Sequence, residues 1–168
     1  MAAQGAFTRV SKQAEELVGT LLREKKTVSL TESCTGGLLA SLLTDIPGAS
    51  EVFQGSFVTY SNAAKAAVGV DASVIEKDGV YSAACAEAMA RAAQKAYKTD
   101  FAVGVTGTLG RVDPANADST PGEVFFCILQ SDTGSAESLS LDPSLPRPEA
   151  KLRTAEAIFT RLNQLLHP

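Results

Sequence analysis

Ser33, Lys65 and Tyr60 are the residues with which this chain could do covalent chemistry. Ser33 lies in Thr31-Glu32-Ser33-Cys34-Thr35-Gly36-Gly37, between a strand read over 27–31 and a helix read over 35–43. A serine at such a turn can cap the helix, ligate a phosphate or act as a nucleophile. The N–H groups of Thr35, Gly36 and Gly37 could serve an oxyanion or a phosphate in the same way. Cys34 is adjacent, but its thiol has no activating partner nearby in the sequence. The single histidine, His167, is next to last in the chain, so a Ser-His-Asp triad, a Cys-His pair and a histidine metal site are not expected. Any hydrolysis needs another base.

Lys65 is the available one. It follows the cap pair Ser61-Asn62 and falls in the first turn of a short helix read over 63–68. There it is either a solvated cation or an amine whose pKa is lowered by the helix dipole and burial, able to act as a base. Tyr60, at a strand end, is either a core-edge tyrosine or a partner that bonds or relays a proton to that amine. A third turn, Thr106-Gly107-Thr108-Leu109-Gly110-Arg111, has glycines but no P-loop ending, and could present N–H groups to an anion. Arg147 and Lys151 lie one helical turn apart, as an anion clamp or a solvated edge.

The elements that must position these groups follow from periodicity. Helical spacing runs through 11–25, an Ala-rich helix capped by Ser82 reaches Lys98, and an amphipathic helix covers 149–166. Strands are read at 27–31, 53–60, 101–106, 123–129 and 135–141, with Gly55 as a weak point or a bulge. Residues 107–122 are loop by composition, and residues 1–9 are expected to be flexible. Strands alternating with helices predict one α/β domain over 1–168: three layers, a central mixed or mostly parallel sheet, helices on both faces. In such sheets ligands bind beyond the carboxyl ends of the strands, which would bring the three turns together.

With 45% hydrophobic and 20% charged residues, the composition suits one sizeable core. A net charge of −4 and no basic stripe argue against nucleic acid. No apolar run approaches the roughly 18 residues of a membrane span, and residues 1–9 lack a signal-peptide core, so a cytoplasmic location is expected. The three cysteines, Cys34, Cys85 and Cys127, suggest neither a disulfide framework nor a zinc site. The Ala-rich helix could cover the sheet or pair two subunits in a homo-oligomer.

Thr31-Glu32-Ser33-Cys34-Thr35-Gly36-Gly37, then Phe57-Val58-Thr59-Tyr60-Ser61-Asn62-Ala63-Ala64-Lys65 and Gly69-Val70, resemble the C-terminal domain of the CinA (competence/damage-inducible) family, over residues 10–165. The resemblance implies hydrolysis of the carboxamide of nicotinamide mononucleotide, with Ser33 as nucleophile, Lys65 as base and Tyr60 assisting, and with no metal or organic cofactor. It makes Thr35, Gly36, Ser61, Asn62, Thr106, Gly107, Arg147 and Lys151 the expected substrate-binding residues. The alternative is a non-catalytic nucleotide- or anion-binding module. Departures from the family fall near the expected ligand: Arg111 replaces a proline, residues 112–119 a Gly-rich stretch, Leu145-Pro146-Arg147 a Gly-Asp-Arg, and Lys151 an arginine. The family's N-terminal domain has no counterpart in these residues, so its pyrophosphatase-type activity is not expected.

Overall fold

Apolar spacing continues further toward the N-terminus than residue 11. Ala6 and Val10 extend the stripe of Ala14, Leu17, Val18 and Leu21, and all six side chains are buried. The computed structural model describes residues 2–117 and 119–167, and in it α1 spans Ala2–Glu24. The expected flexible segment is therefore helical over residues 2–9, because Ala6 and Val10 are core positions that composition alone did not flag.

The remaining elements follow in chain order: β1 (Val28–Glu32), α2 (Leu38–Thr44), α3 (Ala49–Val52), β2 (Phe53–Val58), α4 (Asn62–Ala67), α5 (Ala72–Asp78), α6 (Ala83–Tyr97), β3 (Phe101–Gly107), β4 (Glu123–Gln130), β5 (Thr133–Ser140) and α7 (Arg147–Leu166). The five strands form one mixed sheet in the order β2-β1-β3-β4-β5. β1 pairs parallel with β2 and β3, whereas β4 runs antiparallel between β3 and β5.

Strand alternation sorts the two faces. Val28, Leu30, Phe101, Val103, Val105, Phe126 and Ile128 join α1, α2 and α7 in the main core. Ala102, Cys127 and Leu129 pack on Ala86, Ala90 and Ala93 of α6. That face is made of small residues because α6 lies almost on the backbone: a Cβ at Gly104 would sit 2.1 Å from the Ala86 carbonyl oxygen. The Ala-rich helix thus covers the sheet. Among the described residues, no helix is long and apolar enough to cross a membrane.

Three local readings change. The helix expected from residue 35 starts at Leu38, because Gly36 and Gly37 sit at φ 61° and 93°, outside any right-handed helix. The last helix starts two residues early, at Arg147, with Pro148 in its first turn. A one-turn helix, α3, occupies residues for which no element is read from the sequence.

The bulge at Gly55 is present: the β1–β2 register skips Gln54, and φ is 152°. A Cβ there would meet the Tyr97 ring at 2.5 Å, and that ring stacks on Phe57 with centroids 5.1 Å apart. Gly55→Ala is expected to lower stability by about 1–3 kcal/mol through this overpacking, read as a lower urea midpoint at unchanged slope.

Candidate active site

The parallel register brings the carboxyl ends of β1, β2 and β3 level. Glu32 pairs with Val58 on one side and Val105 on the other. Ser33 and Thr59 therefore leave the sheet beside Thr106, which is still paired with Phe125 of β4. Ser33 is tied down by its N–H to the Val105 carbonyl at 3.1 Å, and Thr59 by its N–H to the Glu32 carbonyl at 2.8 Å. Beyond them opens a cleft of about 460 Å³ that includes Ser33, Tyr60, Lys65, Gly107, Arg111 and Arg147 among its walls. That volume is within the range of small-ligand sites.

Ser61 caps α4, its hydroxyl accepting the Ala64 N–H at 3.1 Å. Lys65 is the fourth residue of this helix and points inward, only 1% exposed. Its Nζ lies 3.1 Å from Ser33 Oγ and 2.9 Å from the Thr59 carbonyl oxygen, to which it donates. Among the described residues no carboxylate forms an ion pair with it. Burial holds its pKa below the ordinary lysine value, an effect that the neighbouring Cys85, Cys34 and Asp113 oppose. A neutral amine in this position has a lone pair, and the Ser33 O–H can donate to it. Cys34, by contrast, is a buried thiol whose pKa burial pushes up to about 12, so it is no thiolate nucleophile.

Glu32 decides which backbone amides remain available. It is completely buried. Its carboxylate accepts the N–H groups of Gly37 and Leu39 at 3.0 and 3.1 Å and of Ala40 at 2.9 Å, and the Ser56 hydroxyl at 3.3 Å. The N-terminus of α2 is thus already satisfied by an internal anion. The Gly36 N–H donates to the Ser33 carbonyl at 3.0 Å. The Gly36 and Gly37 amides expected to serve an oxyanion are therefore occupied. Among the described residues, the amides of Cys34 and Thr35 donate to no protein group.

The other expected site residues divide. Tyr60 stands on the rim, 64% exposed. Its hydroxyl accepts from Arg147 Nη2 at 3.0 Å and bonds neither Lys65 nor Ser33. The expected relay through Tyr60 thus finds no bonded path, because serine and lysine already touch. The Thr106 hydroxyl is fully buried and donates to the Val80 carbonyl at 2.9 Å, so it has a structural bond and does not face a ligand. Gly107 lines the cleft, and its missing side chain lets β4 close in: a Cβ would lie 2.6 Å from the Glu123 oxygen.

Thr35, Gly36 and Lys151 border a separate recess of about 510 Å³, which meets the cleft only at Arg147. Lys151 Nζ lies 3.1 Å from where a Gly36 Cβ would be. Arg147 thus borders both depressions, and Lys151 only the recess. The Cys34–Gly37 turn comes between the cleft and Lys151.

Sequence reasoning missed one wall of the cleft. The Tyr81 hydroxyl and Asn116 Nδ2 both donate to Asp113 Oδ2 at 2.6 Å, and Asn62 Nδ2 donates to Asn116 Oδ1 at 3.0 Å. The Asp113 N–H donates to Ser119 Oγ at 2.7 Å, and Oδ1 accepts the Ala115 N–H at 3.0 Å. Within the segment that departs from the family pattern, residues 113–116 form a turn built on Asp113. An Asp followed three residues later by Asn was the available signal; nothing in the sequence pointed to Tyr81. His167, meanwhile, sits 3.2 Å from Thr20 of α1 and takes no part in the cleft.

The family model of the CinA C-terminal domain matches residues 10–166. This chain belongs to the CinA C-terminal domain family. A CinA-like protein of Flavobacterium psychrophilum is 45% identical over 116 residues, covering 68% of this chain and 28% of that protein. Another, from Mycobacterium marinum, is 41% identical over 128 residues, covering 75% of this chain and 29% of that protein. The chain thus spans under a third of the length of these two CinA-like relatives. Among solved structures, the competence/damage inducible protein CihA from Agrobacterium tumefaciens superposes with a TM-score of 0.87 at 30% identity, covering 95% of this chain and 96% of that one. A CinA superfamily protein from Escherichia coli shares the fold at a TM-score of 0.84 and 21% identity, over 93% and 90% of the two chains. The overall fold is therefore common to all three structures.

Proposed function

We propose that this CinA domain is a cytoplasmic amidohydrolase that converts nicotinamide mononucleotide to nicotinic acid mononucleotide and ammonia. The contact of Ser33 Oγ with the buried Lys65 Nζ at 3.1 Å carries this reading. In the proposed cycle, neutral Lys65 takes the Ser33 proton while Oγ attacks the carboxamide carbon. The carbonyl oxygen becomes an oxyanion beside the Cys34 amide, which borders the cleft. The Lys65 ammonium then protonates the departing nitrogen, the C–N bond breaks, and ammonia leaves an acyl ester on Ser33. Water enters, gives its proton to Lys65 and attacks the ester. The carboxylate product departs as Lys65 returns the proton to Ser33.

Arg147 and Arg111 border the same cleft and suit the substrate phosphate. Tyr60 holds Arg147 and so acts on binding more than on proton transfer. The test is ammonia release from nicotinamide mononucleotide, set beside the same nucleoside without its phosphate. Release is expected from the mononucleotide, with kcat/KM at least about tenfold lower without the phosphate, the worth of one charge-assisted hydrogen bond. Saturable binding with no ammonia would leave the chain as a nucleotide- or anion-binding module.

A further inference from the structure

The β3–β4 loop reaches the catalytic pair by a route that the hydrolysis itself does not use. Asp113 holds Asn116, Asn116 holds Asn62, and Asn62 is the first residue of the six-residue helix that carries Lys65. Tyr81, in the connection ahead of α6, closes the other side of the carboxylate. Three donors therefore fix Asp113: a phenol, an amide side chain and the Ala115 N–H. They suit an ionised carboxylate, since each would lose its acceptor or weaken if the group were protonated. The same carboxylate lies on the wall of the cleft that contains Lys65.

We propose that Asp113 is a positioning residue for this amide hydrolysis: through Asn116 and Asn62 it fixes the helix that carries Lys65, and it sets a permanent negative charge in the cleft with the amine. The proposal rests on Lys65 being the base. Hydrogen bonds from Tyr81 and Asn116, with the Ala115 N–H, hold the Asp113 carboxyl below the usual carboxylate range, so it is an anion at neutral pH. Its charge favours the protonated amine, against burial, which favours the neutral one. The other groups around Lys65 are the thiols of Cys34 and Cys85, both pushed upward by burial and so neutral at pH 7. Tyr81 is also raised well above the ordinary phenol value, first by burial and then by Asp113. Arg147 and Arg111 border the cleft as fixed cations, and Tyr60 is engaged by Arg147. Asp113 is thus the one anionic side chain among the described residues lining the cleft. A base buried without any counter-charge loses proton affinity, and with it the drive to take the Ser33 proton.

Two variants separate charge from position. Asp113→Asn keeps a side-chain oxygen for Tyr81 or Ala115 and removes the charge. Asn116→Ala keeps the charge and cuts the link to Asn62. Both are measured in the full chain by kcat and kcat/KM across pH, and by nitrogen-15 titration of the Lys65 amine, assigned by its disappearance in Lys65→Met. In Asp113→Asn the acid limb of kcat/KM and the amine titration are expected to move together to lower pH by about half a unit, the size of one charge removed across a partly solvated cleft. In Asn116→Ala kcat is expected to fall about tenfold with the limb in place, because the base is displaced and not retuned. An unmoved amine titration in Asp113→Asn, or a wild-type kcat in Asn116→Ala, would overturn the proposal. If the wild-type chain released no ammonia, the amidase reading would fail, and the amine titration alone would decide whether Asp113 sets the proton affinity of Lys65.

Discussion

Lys65→Met is expected to lower kcat/KM for ammonia release by about a thousandfold or more, while making the folded chain more stable at neutral pH. The first effect is the loss of the proposed general base, a contribution of about 10²–10⁴, together with the only hydrogen-bond partner of Ser33 Oγ among the described residues. The second follows from burial. In the unfolded chain a lysine keeps its proton up to about pH 10.4. In the fold, burial lowers the pKa of Lys65, so its amine gives up the proton at lower pH. Between those two pH values the unfolded state binds more protons, and wild-type stability must rise with pH. Methionine fills the same space with no proton to lose. The variant is therefore expected to gain about 1–2 kcal/mol at pH 7, as active-site residues replaced by apolar ones commonly do. The gain should shrink as pH climbs toward 10. Urea unfolding of both proteins at pH 7 and pH 9.5 checks it, and a loss of stability at pH 7 would place Lys65 among ordinary structural residues.

The second large effect is at Glu32. Its carboxylate is the acceptor for three amides at the start of α2 and for the Ser56 hydroxyl, in a site without solvent. Glu32→Ala leaves those donors buried and unpaired, at about 1–3 kcal/mol for each that finds no water. The expected loss is about 4 kcal/mol, with Glu32→Gln losing roughly half because one oxygen remains. Because Glu32 directly precedes Ser33, both variants should also loosen the turn that presents the proposed nucleophile. Equilibrium urea unfolding measures the first effect. A Glu32→Ala midpoint equal to that of the wild type would show that water replaces the carboxylate.

Much of this site is legible in the amino-acid order alone. The runs 27–31 and 101–106 are apolar or β-branched enough to mark strands buried on both faces, and the topology then brings their carboxyl ends together. Lys65 could be singled out as the proposed base from the sequence, and Ser61 and Ser82 cap helices as their positions suggest. What could not be read depends on register and on which polar groups are already paired. Gly36 and Gly37 look like free anion donors until Glu32 is seen to turn back onto the helix start. Thr106 looks available until its hydroxyl is found on the Val80 carbonyl. Lys151 is one turn from Arg147 on α7, yet the Cys34–Gly37 turn comes between it and the cleft. The Asp113 loop is legible as a turn, but its link to Asn62 joins residues 54 positions apart. No local pattern encodes that.

The most direct measurement is single-turnover ammonia release from nicotinamide mononucleotide by the wild-type chain and by Ser33→Ala, both verified as folded. A serine nucleophile activated by Lys65 predicts rapid release by the wild type and a fall of about a thousandfold or more in Ser33→Ala. Release at the wild-type rate from Ser33→Ala would contradict it, and would send the search for the nucleophile elsewhere in the cleft.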